Sequence, residues 1–281
     1  MTDPVDPFRT RSHVPDFDAI AAAYAARSEA PRERLRHRLD IAYGPAPAER
    51  LDLYFPDDRT PPAPIHIFIH GGYWRANART NYGFLAEPVV ASGGICAVID
   101  YTLMPHVRMA TLVDEVRRAA SWLAANAASF GGNPAAISAS GQSAGAHLAL
   151  YLAARGPHES ALPATPVQAL LMVSGIYDLA PIPGSFLQPE IGLTPEEVER
   201  WSPVSATHAP GVARAFAVGA NETAPFHAQQ ARLAEILAAA GSPAETHTLP
   251  GLNHMSILLD MGTPGTALGK LLAATVDQSR R

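Results

Sequence analysis

Two glycine-rich bends hold the residues best suited to chemistry. Gly141-Gln142-Ser143-Ala144-Gly145 follows the short apolar stretch Ala136-Ile137-Ser138-Ala139 and opens a helical pattern. A serine at a sharp strand-to-helix turn is exposed as a nucleophile. Small neighbours let strand and helix approach closely, and the helix start aims unpaired amides at the reacting oxygen. His70-Gly71-Gly72-Tyr73-Trp74 follows the apolar run Pro64–Ile69. Acyl transfer generates an oxyanion, and a glycine-rich bend lets several backbone N–H groups converge on one point. Together the two bends point to nucleophilic acyl chemistry.

The elements around these bends argue for one fold class. Ile65–Ile69, Ile95–Ile99, Ala136–Ala139, Ala169–Val173 and Ala215–Val218 are short apolar runs, each ending in glycine or polar residues, as expected of buried parallel strands. Helix-period segments separate them over Gly83–Ala91, Leu112–Phe130, Ala144–Ala154 and His227–Ala240, and a last pair, strand Glu245–Leu249 and helix Ala267–Val276, closes the chain. This alternation predicts a doubly wound α/β domain. Upstream, Leu35–Tyr43 and Leu51–Phe55 flank Gly44-Pro45-Ala46-Pro47 and read as an antiparallel hairpin. Residues 1–33 read as an N-terminal accessory arm with a short helix closed by Pro31, and residues 34–281 as the α/β domain. Leu179 to Pro210 interrupts the rhythm with five prolines before Pro210, and Thr194 with Glu197 three residues on forms a capping-box pattern. An insertion of that length on a crossover predicts a lid or pocket wall.

Composition narrows the function classes. With 281 residues, 47% apolar and 17% charged, the chain can bury a large core, and a net charge of −5 makes nucleic acid a poor partner. The single cysteine, Cys96, excludes internal disulfides and multi-cysteine metal sites. Neither a secretory leader nor a bilayer-length apolar run is visible, so a cytoplasmic location is expected. No Walker loop, His-Glu-x-x-His helix or dinucleotide fingerprint is present, so neither metal nor organic cofactor is expected. Nothing marks an oligomer interface, and a homo-oligomer stays open.

From His70 to His254 the chain resembles the hormone-sensitive-lipase-like branch of the α/β-hydrolases, and within it the kynurenine formamidase (arylformamidase) type, which carries His-Gly-Gly-x-Trp where lipase relatives carry His-Gly-Gly-Gly. Asp100-Tyr101-Thr102-Leu103-Met104-Pro105 and Ser174-Gly175-Ile176-Tyr177-Asp178-Leu179 are similar to stretches that follow the fourth and sixth strands in that family. The resemblance implies an α/β-hydrolase fold: a mostly parallel sheet with helices on both faces and a short lid-like insertion after the sixth strand, at about 179–210. It implies the chain order nucleophile, acid, histidine. His254, in the loop after the last strand, is then the expected base. His147, His158, His208 and His227 come too early, and His247 alternates within a strand. Glu222 stands where the family usually has Asp and is preferred as the acid, with Asp178 as the alternative. By the same analogy the amides of Gly72, Tyr73 and Ala144 are the oxyanion donors, His70 shapes its own loop, and Trp74, Tyr101 and Phe226, with His70, are candidate pocket residues.

The expected activity is a serine hydrolase cleaving a small-molecule ester or amide, arylformamides included, through Ser143, His254 and Glu222. An acyltransferase using the same acyl-enzyme and a non-catalytic binding module on the same fold are the alternatives.

Overall fold

A computed structural model describes residues 5–57 and 62–280. Eight strands form one sheet: β1 Arg36–Ala42, β2 Arg50–Phe55, β3 Ala63–Ile69, β4 Ile95–Ile99, β5 Gly132–Gln142, β6 Val167–Val173, β7 Ala213–Gly219 and β8 Glu245–Leu249. Their order is β1-β2-β4-β3-β5-β6-β7-β8. The β1–β2 and β2–β4 pairs are antiparallel and all others parallel. The helices are α1 Thr10–His13, α2 Phe17–Arg34, α3 Ala86–Ala91, α4 Met109–Phe130, α5 Ala144–Leu150, α6 Gln188–Ile191, α7 Pro195–Trp201, α8 Ala224–Ala239, α9 Ser256–Met261 and α10 Ala267–Gln278.

Alternation along the central strands sorts side chains to two buried layers. Ile65, Ile67, Ile69, Leu170, Met172, Phe216 and Val218 join α4, α5 and α8 on one face. Phe68, Cys96, Val98, Leu171, Val173, Ala215 and Ala217 join side chains of α2, α3 and α10 on the other. Every residue of β3 and β4 is buried, which is why they read as nearly continuous apolar runs, broken only by His66. Register brings Ile69 beside Gly141, Gln142 beside Val173, and Gly219 beside Leu249. The loops leaving β3, β5, β6, β7 and β8 therefore emerge at one end of the sheet, where open α/β sheets build their sites.

Several local expectations shift. α5 stops at Leu150 rather than Ala154: the Arg117 guanidinium takes the Tyr151 and Ala154 carbonyls, and Ala154-Arg155 pairs instead with Thr207-His208. α2 continues past Pro31 to Arg34, because a proline in the last turn forfeits one hydrogen bond while its own carbonyl still accepts from Leu35 N–H at 2.8 Å. α9 was not anticipated. Its signal is Asn253, whose Oδ1 accepts from the Met255 and Ser256 amides. The capping box at Thr194 and Glu197 forms as read and starts α7.

The 179–210 insertion is packed onto the body, with Leu179, Ile182, Leu187, Ile191, Leu193 and Trp201 buried. No helix among the described residues is long and apolar enough to cross a membrane.

Candidate active site

Ser143 sits between β5 and α5 with φ 56° and ψ −121°, a conformation L-residues seldom adopt. Glycines make the turn sterically feasible. A Cβ on Gly141 would lie 2.2 Å from the Gly145 carbonyl oxygen, and one on Gly145 would lie 2.1 Å from that of Ile69. The turn is therefore pressed against the end of β3, where the His70–Trp74 loop begins. A Cβ on Gly71 would come within 3.1 Å of Ser143 Cβ, so the two bends meet.

The His70–Trp74 loop is itself tightly wound. Gly72 (φ 109°), Tyr73 (φ 51°) and Trp74 (φ 61°) all have positive φ. Arg75 and Ala76 N–H both donate to Gly72 O at 3.1 Å. Gly72, Tyr73, Ser143 and His254 line one cavity of about 140 Å³.

His254 leaves the end of β8 and is 6% exposed. Its Nδ1 lies 2.6 Å from Glu222 Oε2. A carboxylate can only accept, so Nδ1 carries the hydrogen of this bond. The other Glu222 oxygen, Oε1, accepts from Ser174 Oγ at 2.5 Å and Gly219 N–H at 2.8 Å. Phe226 packs on the imidazole with ring centroids 4.4 Å apart. Gln142 Nε2 donates to His254 O at 3.0 Å, tying this loop to the nucleophile turn. Asp178, the alternative acid, is engaged elsewhere: Oδ2 accepts from Arg232 at 2.5 Å and Oδ1 from Ala180 N–H.

Three candidate pocket residues lie behind the cavity wall instead of on it. The Trp74 indole is fully buried and donates to His147 Nδ1 at 3.2 Å, while His147 Nε2 donates to Trp201 O at 2.7 Å. Burial pushes the His147 pKa down to about 4, so a neutral ring bridges the loop to the insertion. His70 is stacked between Tyr101 (4.5 Å) and Tyr82 (5.8 Å), with Nδ1 on Gly71 O and Nε2 3.4 Å from Asp100. Tyr101 donates to His70 O at 2.9 Å. These rings are used to hold the loop's shape, which leaves them no free face. Burial alone would raise the Asp100 pKa, but His70 and Arg79 hold it below the usual carboxylate range. The Arg79 guanidinium also pairs with Asp40 and Asp52. Phe226 faces a smaller hollow on the far side of His254, shared with Pro7 and Val14.

The cavity wall that sequence reasoning missed comes largely from the N-terminal arm. Thr10, Phe17, Ala21 and Tyr24 face Ser143 across the inner cavity, joined by Asn77, Tyr82 and Met255. The inner cavity's lining contains no residue of the 179–210 insertion, which contributes Phe186 and Glu190 to an outer chamber of about 470 Å³ beside it. The two spaces share Thr10, Phe17, Gly72, Tyr73 and Asn77, and the outer one carries Arg9, Arg11 and Arg75. The arm carries no catalytic motif, and the signal of burial it offers is the helical apolar pattern through Ile20 and Tyr24.

The chain is similar to several known proteins. The BD-FAE family profile matches residues 51–188. A kynurenine formamidase from Danio rerio is 29% identical over 93% of this chain and 89% of its own length. Esterase LipC of Mycobacterium tuberculosis is 37% identical over 52% of this chain and 38% of its own. The crystal structure of a thioesterase candidate from Silicibacter sp. superposes with a TM-score of 0.82 at 22% identity, covering 96% of this chain and 97% of that one.

Proposed function

We propose that this chain, a hydrolase of the α/β-hydrolase superfamily that resembles kynurenine formamidases and esterases of the hormone-sensitive-lipase-like branch, cleaves a small ester or amide through a Ser143–His254–Glu222 triad. The observation that carries the reading is the 2.6 Å contact between His254 Nδ1 and Glu222, on a ring that shares a cavity with Ser143 and the Gly72–Tyr73 bend.

Ser143 Oγ attacks the substrate carbonyl as His254 Nε2 takes its proton. Glu222 holds the imidazole in the Nδ1–H tautomer and stabilises the imidazolium. The oxyanion is received by the amides of Gly72, Tyr73 and Ala144, two from the bend after β3 and one from the first turn of α5. His254 then returns the proton to the departing alcohol or amine, and water resolves the acyl-enzyme by the same path. The narrow inner cavity suits a short acyl group, and the wider chamber with its aromatic and arginine side chains suits the leaving group. A formamide of an aromatic amine and a short aryl ester both meet that description.

Turnover of N-formylkynurenine against short and long aryl esters tests the substrate class. A large preference for the formamide identifies a formamidase, and a preference for short esters identifies a general esterase. If a fluorophosphonate fails to label Ser143 in the pure protein, the fold serves as a binding module instead.

A further inference from the structure

The N-terminal arm touches three of the loops that carry the proposed machinery: the Glu222 loop, the His254 loop and the bend after β3. Thr223 Oγ1, next to Glu222, donates to Pro7 O at 2.8 Å. Phe8 packs edge-on against Phe226, the ring that backs His254. Tyr24 Oη donates to the carbonyl of Met255, next to His254. On the third loop the contact is made by a side chain: Tyr73 Oη donates to Phe8 O, and Thr10 Oγ1 lies 3.0 Å from the same phenol oxygen. With the phenol hydrogen given to Phe8, the Thr10 hydroxyl is the donor to Tyr73.

Resting on the serine-hydrolase reading above, we propose that the Tyr73 hydroxyl is a positioning group for the oxyanion donors, holding the bend after β3 in its reactive shape through Phe8 and Thr10 of the arm. Tyr73 has φ 51°, a region that a bulky aromatic residue occupies only when its surroundings enforce it. Rotation about its N–Cα bond turns the peptide plane that carries the Tyr73 N–H. Anchoring the ring at its far end opposes that rotation, and the edge-on contact with Phe186 at 5.7 Å restrains the ring from another side. The arm thereby acts on the reaction through the backbone of Tyr73, without touching the reacting atoms.

Tyr73→Phe keeps the ring and the amide and removes only the two hydroxyl contacts. For a short aryl ester its kcat is expected to fall about tenfold with KM little changed, because misaligned donors weaken the transition state more than the ground state. Its affinity for a trifluoromethyl ketone, which forms a tetrahedral oxyanion on Ser143, should fall by the same factor, and its affinity for the product acid should not. Thr10→Val should show the same split, and Thr10→Ser, which keeps the hydroxyl, should recover most of the kcat that Thr10→Val loses. Unchanged kcat and ketone affinity in Tyr73→Phe would overturn the inference, as would equal losses of ketone and product-acid affinity. These outcomes count against it alone when fluorophosphonate labels wild-type Ser143. An unlabelled wild type would overturn the hydrolase reading and this inference together.

Discussion

Ser174 Oγ donates to Glu222 Oε1 at 2.5 Å, on the carboxylate oxygen that the His254 ring leaves free. With Gly219 N–H on the same oxygen, the Glu222 side chain is fixed from both ends and completely buried. That fixation accommodates the extra methylene that separates glutamate from the usual aspartate.

Glu222 and Asp178 can be told apart by substitution. Glu222→Gln should lower kcat by about three to four orders of magnitude, since an amide cannot hold the Nδ1–H tautomer or stabilise imidazolium. Asp178→Asn should stay close to wild-type kcat, because its partners are Arg232 and Ala180. Steady-state kinetics on one aryl ester checks both, and the reverse pattern would reassign the acid.

Ser143→Ala and His254→Ala should each cost about three or more orders of magnitude in kcat, and the double variant no more than either alone, because the two groups act as a unit. Circular dichroism should show both variants folded.

Gly145→Ala tests the contact between the two bends. Its new methyl would lie 2.1 Å from Ile69 O and 2.6 Å from His70 O, both backbone atoms of a central strand and its loop. Destabilisation of about 3 kcal/mol or more is expected by urea unfolding, at the upper end of overpacking costs. Stability within experimental error of wild type would mean that the bends are less tightly joined.

Two buried histidines set an acid limit on stability. Burial pushes the pKa of His66 down to about 3 and that of His147 to about 4. An unfolded histidine titrates near 6.5, so between these values the unfolded chain binds more protons. Their contribution is therefore intact above pH of about 6.5 and is lost as pH falls toward the folded-state values, by up to about 1.4 kcal/mol per pH unit for each ring. His66→Gln, whose amide can still meet Ser138 and Ser140, should flatten the pH dependence of urea unfolding by one proton's worth between pH values of about 4 and 6.

The alternation of strands and helices along the chain and the end of the sheet that carries the site were legible because both depend on local signals. Runs such as Ile65–Ile69, apolar but for His66, are expected when both faces are covered, and Gly141 and Gly145 mark a backbone crossing that tolerates no Cβ. The meeting of His254 with Glu222 was legible through chain order. The support from Ser174 was not, since a strand-end serine in a Ser-Gly-Ile-Tyr-Asp-Leu stretch gives no sign of which carboxylate it will meet. Trp74 and Tyr101 were read as pocket residues because an aromatic beside a strand end looks the same whether it faces solvent or the reverse of a loop. The arm was the least legible part: its contacts with Tyr73, Thr223 and Met255 span from 63 to 231 residues of sequence separation.

Division of labour along the chain follows from where the inner wall originates. The groups that break a bond descend from the central strands, whereas the surface facing them across the gap is supplied by a leading segment outside the sheet. Exchanging that segment for one that keeps the hold on the Tyr73 hydroxyl would recut the chamber to fit a different acyl group without altering the groups that break the bond.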